Sequence, residues 1–180
     1  MRIAVYCSSR EGLSEKFTLP ATQLGEWMGR QGHTLVYGGV EAGLMHTVAQ
    51  SVYDWGGQLI GIVPQPFLSR AEPLLDRVIE CEDLGERKNL MMRIAEVFIA
   101  LPGGIGTIDE WITTLSQIIV NGEDKRKILV LNTDGVFDAQ FQQLKNTSES
   151  AFARGKDIDR SINCHTIEEI IAELKKIQKS

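Results

Sequence analysis

The chain has 180 residues, a formal net charge of -5 and 43% hydrophobic residues. This composition predicts a single soluble domain spanning residues 1–180. The acidic balance excludes general binding to nucleic acid or to an anionic membrane surface, because nothing draws a polyanion over long range. No apolar stretch approaches the roughly 20 residues of a membrane span, and the opening residues "MRIAVYCSSR" form a strand pattern, not a signal peptide.

The three cysteines point to a reducing compartment. Cys7, Cys81 and Cys164 are odd in number, far apart and without CxxC spacing, which fits the cytoplasm and argues against a disulfide or zinc framework. The three histidines also lack the spacing of metal ligands. The sequence therefore predicts a cytoplasmic protein with neither a metal nor a cofactor.

Strand and helix patterns alternate along the chain. Nearly continuous apolar runs, typical of parallel strands covered on both faces, predict strands at 2–7, 34–38, 58–63, 97–101 and 127–132, with a weaker one at 77–81. Apolar residues at helical spacing predict helices at 18–31, 43–55, 86–95, 106–120, 136–149 and 166–178. The first helix is placed near Thr18, because Pro20 suits only a first turn.

This alternation predicts a Rossmann-like α/β fold: one doubly wound parallel sheet flanked by helices. In such sheets, ligands bind at the carboxyl ends of the strands. The loops "CSSREG", "YGGVEAG" and "LPGGIGT" all follow predicted strands. The three loops richest in glycine and serine should therefore gather at the edge where this architecture binds ligands.

The loop "PGGIGT" has the features of an anion site. It lies between a predicted strand and a predicted helix, so its backbone N–H groups and the helix N-terminus can face a phosphate. Gly103, Gly104 and Gly106 permit close approach of an oxygen, and Thr107 adds a hydroxyl donor. The alternative is a tight turn in which Thr107 only caps the helix. Neither a dinucleotide fingerprint nor a P-loop is present, which favours a phosphate group over a dinucleotide or a triphosphate.

Two acidic and two basic residues accompany this loop. Asp109 is explained by the helix dipole, since acidic residues favour a first turn. Glu110 lies about a third of a turn from the apolar stripe and can face the ligand. Arg87 and Lys88 begin a predicted helix, where cations oppose the dipole. They are either part of the site or a surface pair.

Three segments together resemble the Lonely Guy (LOG) family of cytokinin riboside 5′-monophosphate phosphoribohydrolases. They are "YGGVEAGLM" at 37–45, "ERKNLM" at 86–91 and "PGGIGTIDE" at 102–110, and the last matches the PGGxGTxxE signature at every fixed position. The resemblance extends from Val5 to about Asp138. Proteins with this signature have been labelled lysine decarboxylases, but no pyridoxal-phosphate lysine motif is present.

The resemblance implies hydrolysis of the N-glycosidic bond of purine nucleoside 5′-monophosphates, N6-substituted ones included, to free base and ribose 5-phosphate. It implies Arg87 and Glu110 as the catalytic pair. It also implies substrate-binding roles for a larger set: Ser8, Ser9, Gly39, Met45, Lys88, Gly103, Gly104, Gly106 and Thr107. A homodimer is expected from the family, and the apolar circumference of the helix at 106–120 supports it.

The sequence departs from the family pattern in three places. Ser8 replaces a glycine and Arg10 a serine after the first strand, His46 follows "GLM" where the family has glycine, and Leu84-Gly85 precedes the "ERK" segment. His46 can contact phosphate or face solvent, and the second interpretation is favoured. The alternative function is a non-catalytic carrier of a nucleotide or of molybdenum cofactor, a class with the same fold. A nicotinamide oxidoreductase is a weaker third hypothesis.

Overall fold

The computed structural model describes residues 1–123 and 125–179. Within these residues, the strands are β1 (Arg2–Tyr6), β2 (Thr34–Tyr37), β3 (Gln58–Pro64), β4 (Arg77–Cys81), β5 (Val97–Ala100), β6 (Ile128–Leu131) and β7 (Ser161–Cys164). The α-helices are α1 (Glu15–Arg30), α2 (Gly43–Asp54), α3 (Leu84–Ile94), α4 (Ile105–Val120), α5 (Asp138–Glu149), α6 (Gly155–Ile158) and α7 (Ile167–Ile177). Short 3-10 helices span Gln65–Arg70 and Thr133–Gly135.

The seven strands described form one parallel sheet in the order β4-β3-β2-β1-β5-β6-β7. The chain starts in the middle, runs outward to β4 and then returns to the other side of β1. Adjacent β1 and β5 are therefore the point at which the strand order reverses. The predicted doubly wound α/β fold is confirmed.

Hydrophobic burial on both faces of the sheet explains the continuous apolar runs. One core cluster packs α1, α2 and α7 against one face, and a second packs α3, α4 and α5 against the other. Every residue of β5 and of β6 is buried. A strand covered on both sides has no solvent face, so its sequence shows no alternation.

The start of α1 differs from the prediction. The helix begins at Glu15, with Ser14 as its N-cap, and Pro20 lies in its second turn. Proline has no N–H to donate to the carbonyl four residues earlier. That carbonyl belongs to Lys16, which is exposed, so water can satisfy it and the helix continues.

The strand β7 was not predicted, because its sequence "SINC" contains no apolar run. As the last strand of the sheet it pairs only with β6, from Ile128 opposite Ser161 to Leu131 opposite Cys164. Its burial is partial, and Asn163 is exposed. An edge strand of this kind lacks the sequence signal of a central one.

Candidate functional site

A cavity of about 520 Å³ opens at the carboxyl edge of the sheet, where β1 and β5 lie side by side. In open α/β sheets, this reversal point is the usual ligand crevice, and the volume suits a small molecule. Most of the predicted site residues line it: Ser8, Ser9, Met45, Arg87, Gly103, Gly104, Gly106, Thr107 and Glu110. The fold thus brings the three glycine- and serine-rich loops together, as the sequence predicted.

The N-terminus of α4 forms one wall of the cavity. Gly104 is the N-cap residue and has no side chain to cap the helix, and the first intrahelical bond runs from the N–H of Ile108 to the Gly104 carbonyl, at 3.1 Å. The N–H groups of residues 105–107 consequently have no intrahelical acceptor. Thr107 does not cap α4, because it lies inside the first turn and lines the cavity. Free N–H groups and the helix dipole make this wall suited to an anion.

Gly103 allows two of the loops to touch. A Cβ atom at this position would lie 2.1 Å from Oγ1 of Thr107 and 3.1 Å from the backbone nitrogen of Ser8. Gly104 is different, because a Cβ there would meet nothing within 4 Å. Gly103 therefore serves packing, whereas Gly104 keeps space open at the cavity wall.

Arg87 and Glu110 form an ion pair in the cavity wall. Nη2 of Arg87 donates to Oε1 of Glu110 at 2.6 Å, and the two side chains are 16% and 10% exposed. Arg87 lies in the first turn of α3, which Asp83 starts by accepting a hydrogen bond from the Glu86 N–H at 2.8 Å. Glu110 lies one turn beyond Thr107 on α4, about 4.5 Å further along the axis.

Burial raises the pKa of the Glu110 carboxyl above its usual range, and the Arg87 guanidinium opposes that rise. Among the described residues, the Glu110 carboxylate accepts one side-chain hydrogen bond, through Oε1. A carboxylate anchored through one oxygen, with the other free beside a cavity, can interact with a developing positive charge or with a water molecule.

Gly38, at the end of β2, makes room for this arrangement. A Cβ at Gly38 would lie 3.1 Å from Sδ of Met45 and 3.3 Å from Nη1 of Arg87. Gly38 was not among the predicted site residues, although it belongs to the "YGGVEAGLM" segment. Its role is to let the Arg87 guanidinium lie directly over the backbone.

We expect Gly38→Ala to lower turnover while the protein stays folded. The added methyl group displaces Arg87 by a few tenths of an ångström, and a 1 Å displacement at a reacting centre costs roughly 100-fold, so the loss should be smaller than that. Steady-state rates of the nucleotide hydrolysis that the sequence resemblance implies, and thermal denaturation, measure the two effects. Unchanged kcat would show that the position of Arg87 is not critical.

Two predicted binding residues do not line the cavity. Gly39 has a φ of +67°, and a Cβ there would lie 2.7 Å from the Cα of Gly61 on β3. Close backbone approach within the sheet requires a glycine here, and its predicted substrate contact stays a prediction. Nζ of Lys88 is bonded to Asp109 at 2.8 and 3.0 Å and to Thr113 at 3.3 Å. Lys88 is thereby bonded to α4, and its predicted substrate contact stays a prediction.

Several cavity residues were not predicted. They are Val5, Cys7, Arg10, Leu13, Phe17, Gly38, Pro102, Ile105 and Val136. Arg10 is exposed and lines the cavity. Its position in the "CSSREG" loop was the sequence signal that could have identified it as a site residue. Burial raises the pKa of the Cys7 thiol well above its ordinary value, so it stays neutral. Leu13, Phe17, Ile105 and Val136 come from the residues before α1, from α1, from α4 and from the segment after β6, which the sequence alone does not place together.

His46 lies outside the cavity lining. Its Nδ1 is 2.7 Å from Oε2 of Glu72, whose side chain is 1% exposed, while the imidazole itself is 41% exposed. The Glu72 N–H also donates to the Gly39 carbonyl at 2.8 Å. The interpretation of His46 as merely facing solvent is therefore incomplete, because it fixes the start of α2 to the segment after β3.

The described residues contain no group of three or more side chains able to hold a metal ion. In the same part of the chain, no helix is both long enough and apolar enough to span a membrane. The main features of the cavity are its helix N-terminus and its buried ion pair.

These features define a Rossmann-like protein with an uncapped helix N-terminus suited to an anion and a paired carboxylate in one crevice. The family model described as "Possible lysine decarboxylase" matches residues 45–174. The chain belongs to this family, to which the LOG phosphoribohydrolases belong.

Curated relatives extend the match. The chain is 38% identical over 140 residues to the cytokinin riboside 5′-monophosphate phosphoribohydrolase LOG of Oryza sativa subsp. japonica, covering 76% of this chain and 57% of the relative. It is 31% identical over 176 residues to LOG4 of Arabidopsis thaliana, covering 97% of this chain and 81% of the relative. The cytokinin riboside 5′-monophosphate phosphoribohydrolase of Rhodococcoides fascians is 30% identical to this chain, and the match covers 96% of this chain and 88% of the relative.

Solved structures agree on the fold. The molybdenum cofactor carrier protein from Chlamydomonas reinhardtii superimposes with a TM-score of 0.76 at 22% identity, covering 99% of this chain and 98% of the other. The molybdenum cofactor binding protein from Rippkaea orientalis gives 0.74 at 23% identity, covering 98% and 96%. At these identities, the likeness concerns the architecture alone.

Proposed function

We propose that this protein hydrolyses the N-glycosidic bond of purine nucleoside 5′-monophosphates, including N6-substituted ones of the cytokinin type. The products are the free base and ribose 5-phosphate. The observation that carries the proposal is the Arg87–Glu110 ion pair, at 2.6 Å, in the wall of a cavity that also contains the uncapped N-terminus of α4. The names of the curated relatives support the same activity.

The spacing along α4 suits a ribose 5-phosphate. The N–H groups of residues 105–107 and the hydroxyl of Thr107 bind the 5′-phosphate, assisted by Ser8, Ser9 and Arg10 at the opposite loop. Glu110 lies about 4.5 Å further along the helix, which places a carboxylate beside the sugar when the phosphate occupies the helix end. Met45 contributes an apolar contact from α2.

The reaction breaks the bond between C1′ and the purine nitrogen, and the electron pair leaves with the base, which takes up a proton. Positive charge develops on the ribose, and the Glu110 carboxylate stabilises it electrostatically. Water then adds its oxygen to C1′ and loses a proton, for which the free oxygen of Glu110 is the acceptor. Arg87 favours the ionised carboxylate, in opposition to the effect of burial, and holds it in place through the bond to Oε1.

The family description raises the alternative of lysine decarboxylation through pyridoxal phosphate. That cofactor requires a lysine facing it, and among the described residues that line the cavity none is a lysine. Lys88, which follows the lining residue Arg87, is bonded to Asp109, and Lys16, which precedes the lining residue Phe17, is bonded to Asp134. The residues present do not fit this cofactor.

The deciding experiment is a time course of free base from a panel of purine nucleoside 5′-monophosphates, plain and N6-substituted, read by chromatography. We expect release of base together with an equal amount of ribose 5-phosphate. Binding of nucleotides without cleavage of any member of the panel would favour a carrier.

We further infer a homodimer. Val78 on the edge strand β4, Leu84 on α3 and Ile112 on α4 are 49%, 50% and 36% exposed, which is apolar surface that association would cover. Light scattering at micromolar concentration should give twice the mass of the 20.0 kDa chain. A monomeric mass would contradict this inference.

We also infer that the protein works in a reducing compartment such as the cytoplasm. The three free cysteines support this, because Cys81 and Cys164 are buried and none of the three forms a disulfide.

A further inference from the structure

Lys88 and Asp109 make a second ion pair beside the first. On α3, Lys88 follows Arg87 directly, and on α4, Asp109 precedes Glu110 directly. The Lys88 ammonium contacts both oxygens of the Asp109 carboxylate, at 2.8 and 3.0 Å. The two helices are thus joined by two adjacent charge pairs, one of which includes the residue assigned to catalysis.

The two pairs differ in exposure. Glu110 is 10% exposed, whereas the side chain of Asp109 is 53% exposed and that of Lys88 is 18% exposed. The second pair therefore lies on the more exposed side of the first. Lys88 is held there by a third bond, from its ammonium to the Thr113 hydroxyl at 3.3 Å, which fixes the position of its charge.

The charges around Glu110 come from three elements. Arg87 and Lys88 approach from α3, Asp109 lies on α4 itself, and Tyr6 and Cys7 face it from β1 and the residue after it. Burial raises the pKa of both Tyr6 and Cys7 above their ordinary values, so these two groups stay neutral under acidic and neutral conditions. The fixed charges near Glu110 besides Arg87 are therefore one cation and one anion.

We propose that Lys88 and Asp109 are positioning residues, a balanced charge pair that holds α3 against α4 and sets the electrostatic environment of Glu110. The inference rests on the proposed function of Glu110 in hydrolysis. The Lys88 cation favours the ionised carboxylate and the Asp109 anion disfavours it, so together they leave Arg87 as the dominant partner. The family resemblance implies substrate binding by Lys88, and the helix dipole explains Asp109; the pair adds a positioning role to both.

Two single substitutions that remove charges of opposite sign test this proposal. Lys88→Met leaves the Asp109 charge uncompensated. In the plot of kcat/KM against pH, the acidic limb should therefore move to higher pH. Asp109→Asn leaves the Lys88 charge uncompensated, so the limb should move to lower pH. The double variant should return towards the unaltered protein. Ionisation of the substrate phosphate is common to all four proteins and cancels in the comparison.

A merely structural pair gives a different result. Both single substitutions break the same ion pair, so a structural role predicts equal losses of rate or of thermal stability with no opposite displacement of the limb. Limbs that stay in place, or that move in the same direction, would overturn the proposal.

A second measurement separates this inference from the proposed function. The carboxyl carbon of Glu110 can be titrated by NMR in protein labelled with carbon-13 glutamate, with Glu110→Gln identifying its signal. Opposite shifts of that titration in the two variants support the charge pair even if no nucleotide is cleaved. Base release without opposite shifts supports the function and rejects the pair.

Discussion

We expect the Glu110→Gln variant to release base about 100- to 10,000-fold more slowly than the unaltered protein, the range for loss of a positioned acid–base group. The amide keeps the size of the side chain, and its oxygen can still accept the bond from Arg87. What is lost is the negative charge that stabilises the ribose as the base departs. Because that charge acts in the transition state, kcat should fall far more than nucleotide affinity.

The control is Glu80→Gln, which makes the same chemical change at an exposed position of β4. It should leave the rate unchanged. Thermal denaturation of both variants shows whether the fold is retained. Equal base release from Glu110→Gln and the unaltered protein would remove Glu110 from the mechanism, even if the phosphoribohydrolase activity itself is present.

The fold and the location of the site could be predicted because both depend on local patterns. The apolar runs of β5 and β6 reflect burial on both faces, and alternation with helices restricts the topology to a doubly wound sheet. Once the strands are parallel, their carboxyl ends share one edge. The loops at Ser8, Gly38 and Gly103 had to meet there, whatever their side chains do.

The partners of individual side chains could not be predicted in the same way. Periodicity places Lys88 near the start of a helix, but its bond to Asp109 depends on how α3 crosses α4. Likewise, the role of Gly39 depends on the 2.7 Å between its missing Cβ and Gly61 of a neighbouring strand. Such contacts arise from packing between elements, and a single sequence carries no direct signal for them.

The family signature did not resolve these roles either. It groups Lys88 with Arg87 and Gly39 with Gly38, yet in each pair only one residue lines the cavity. The other member fixes the geometry, Lys88 by joining α3 to α4 and Gly39 by close packing within the sheet. A motif can therefore combine groups that contact a ligand with groups that hold them in position.

A large loss of AMP affinity is expected from Gly104→Val, at the proposed phosphate site. Gly104 has a φ of -89°, which side chains tolerate, and a Cβ there meets nothing within 4 Å. The protein should therefore fold normally. The valine side chain would occupy the space beside the N–H groups of residues 105–107. Loss of two charge-assisted hydrogen bonds, at about 1.5 to 3 kcal/mol each, should weaken AMP binding by about 100-fold or more.

Calorimetric titration in the Glu110→Gln background measures this, since slow turnover there keeps AMP intact. Adenosine provides the internal comparison: it lacks the phosphate, so its affinity should change little in Gly104→Val. Ser116→Val places the same side chain on an exposed position of α4 and should affect neither ligand. Equal losses for AMP and adenosine would indicate a general disturbance of the cavity. Unchanged AMP affinity would mean that the phosphate binds elsewhere, because no anion could share that space with a valine.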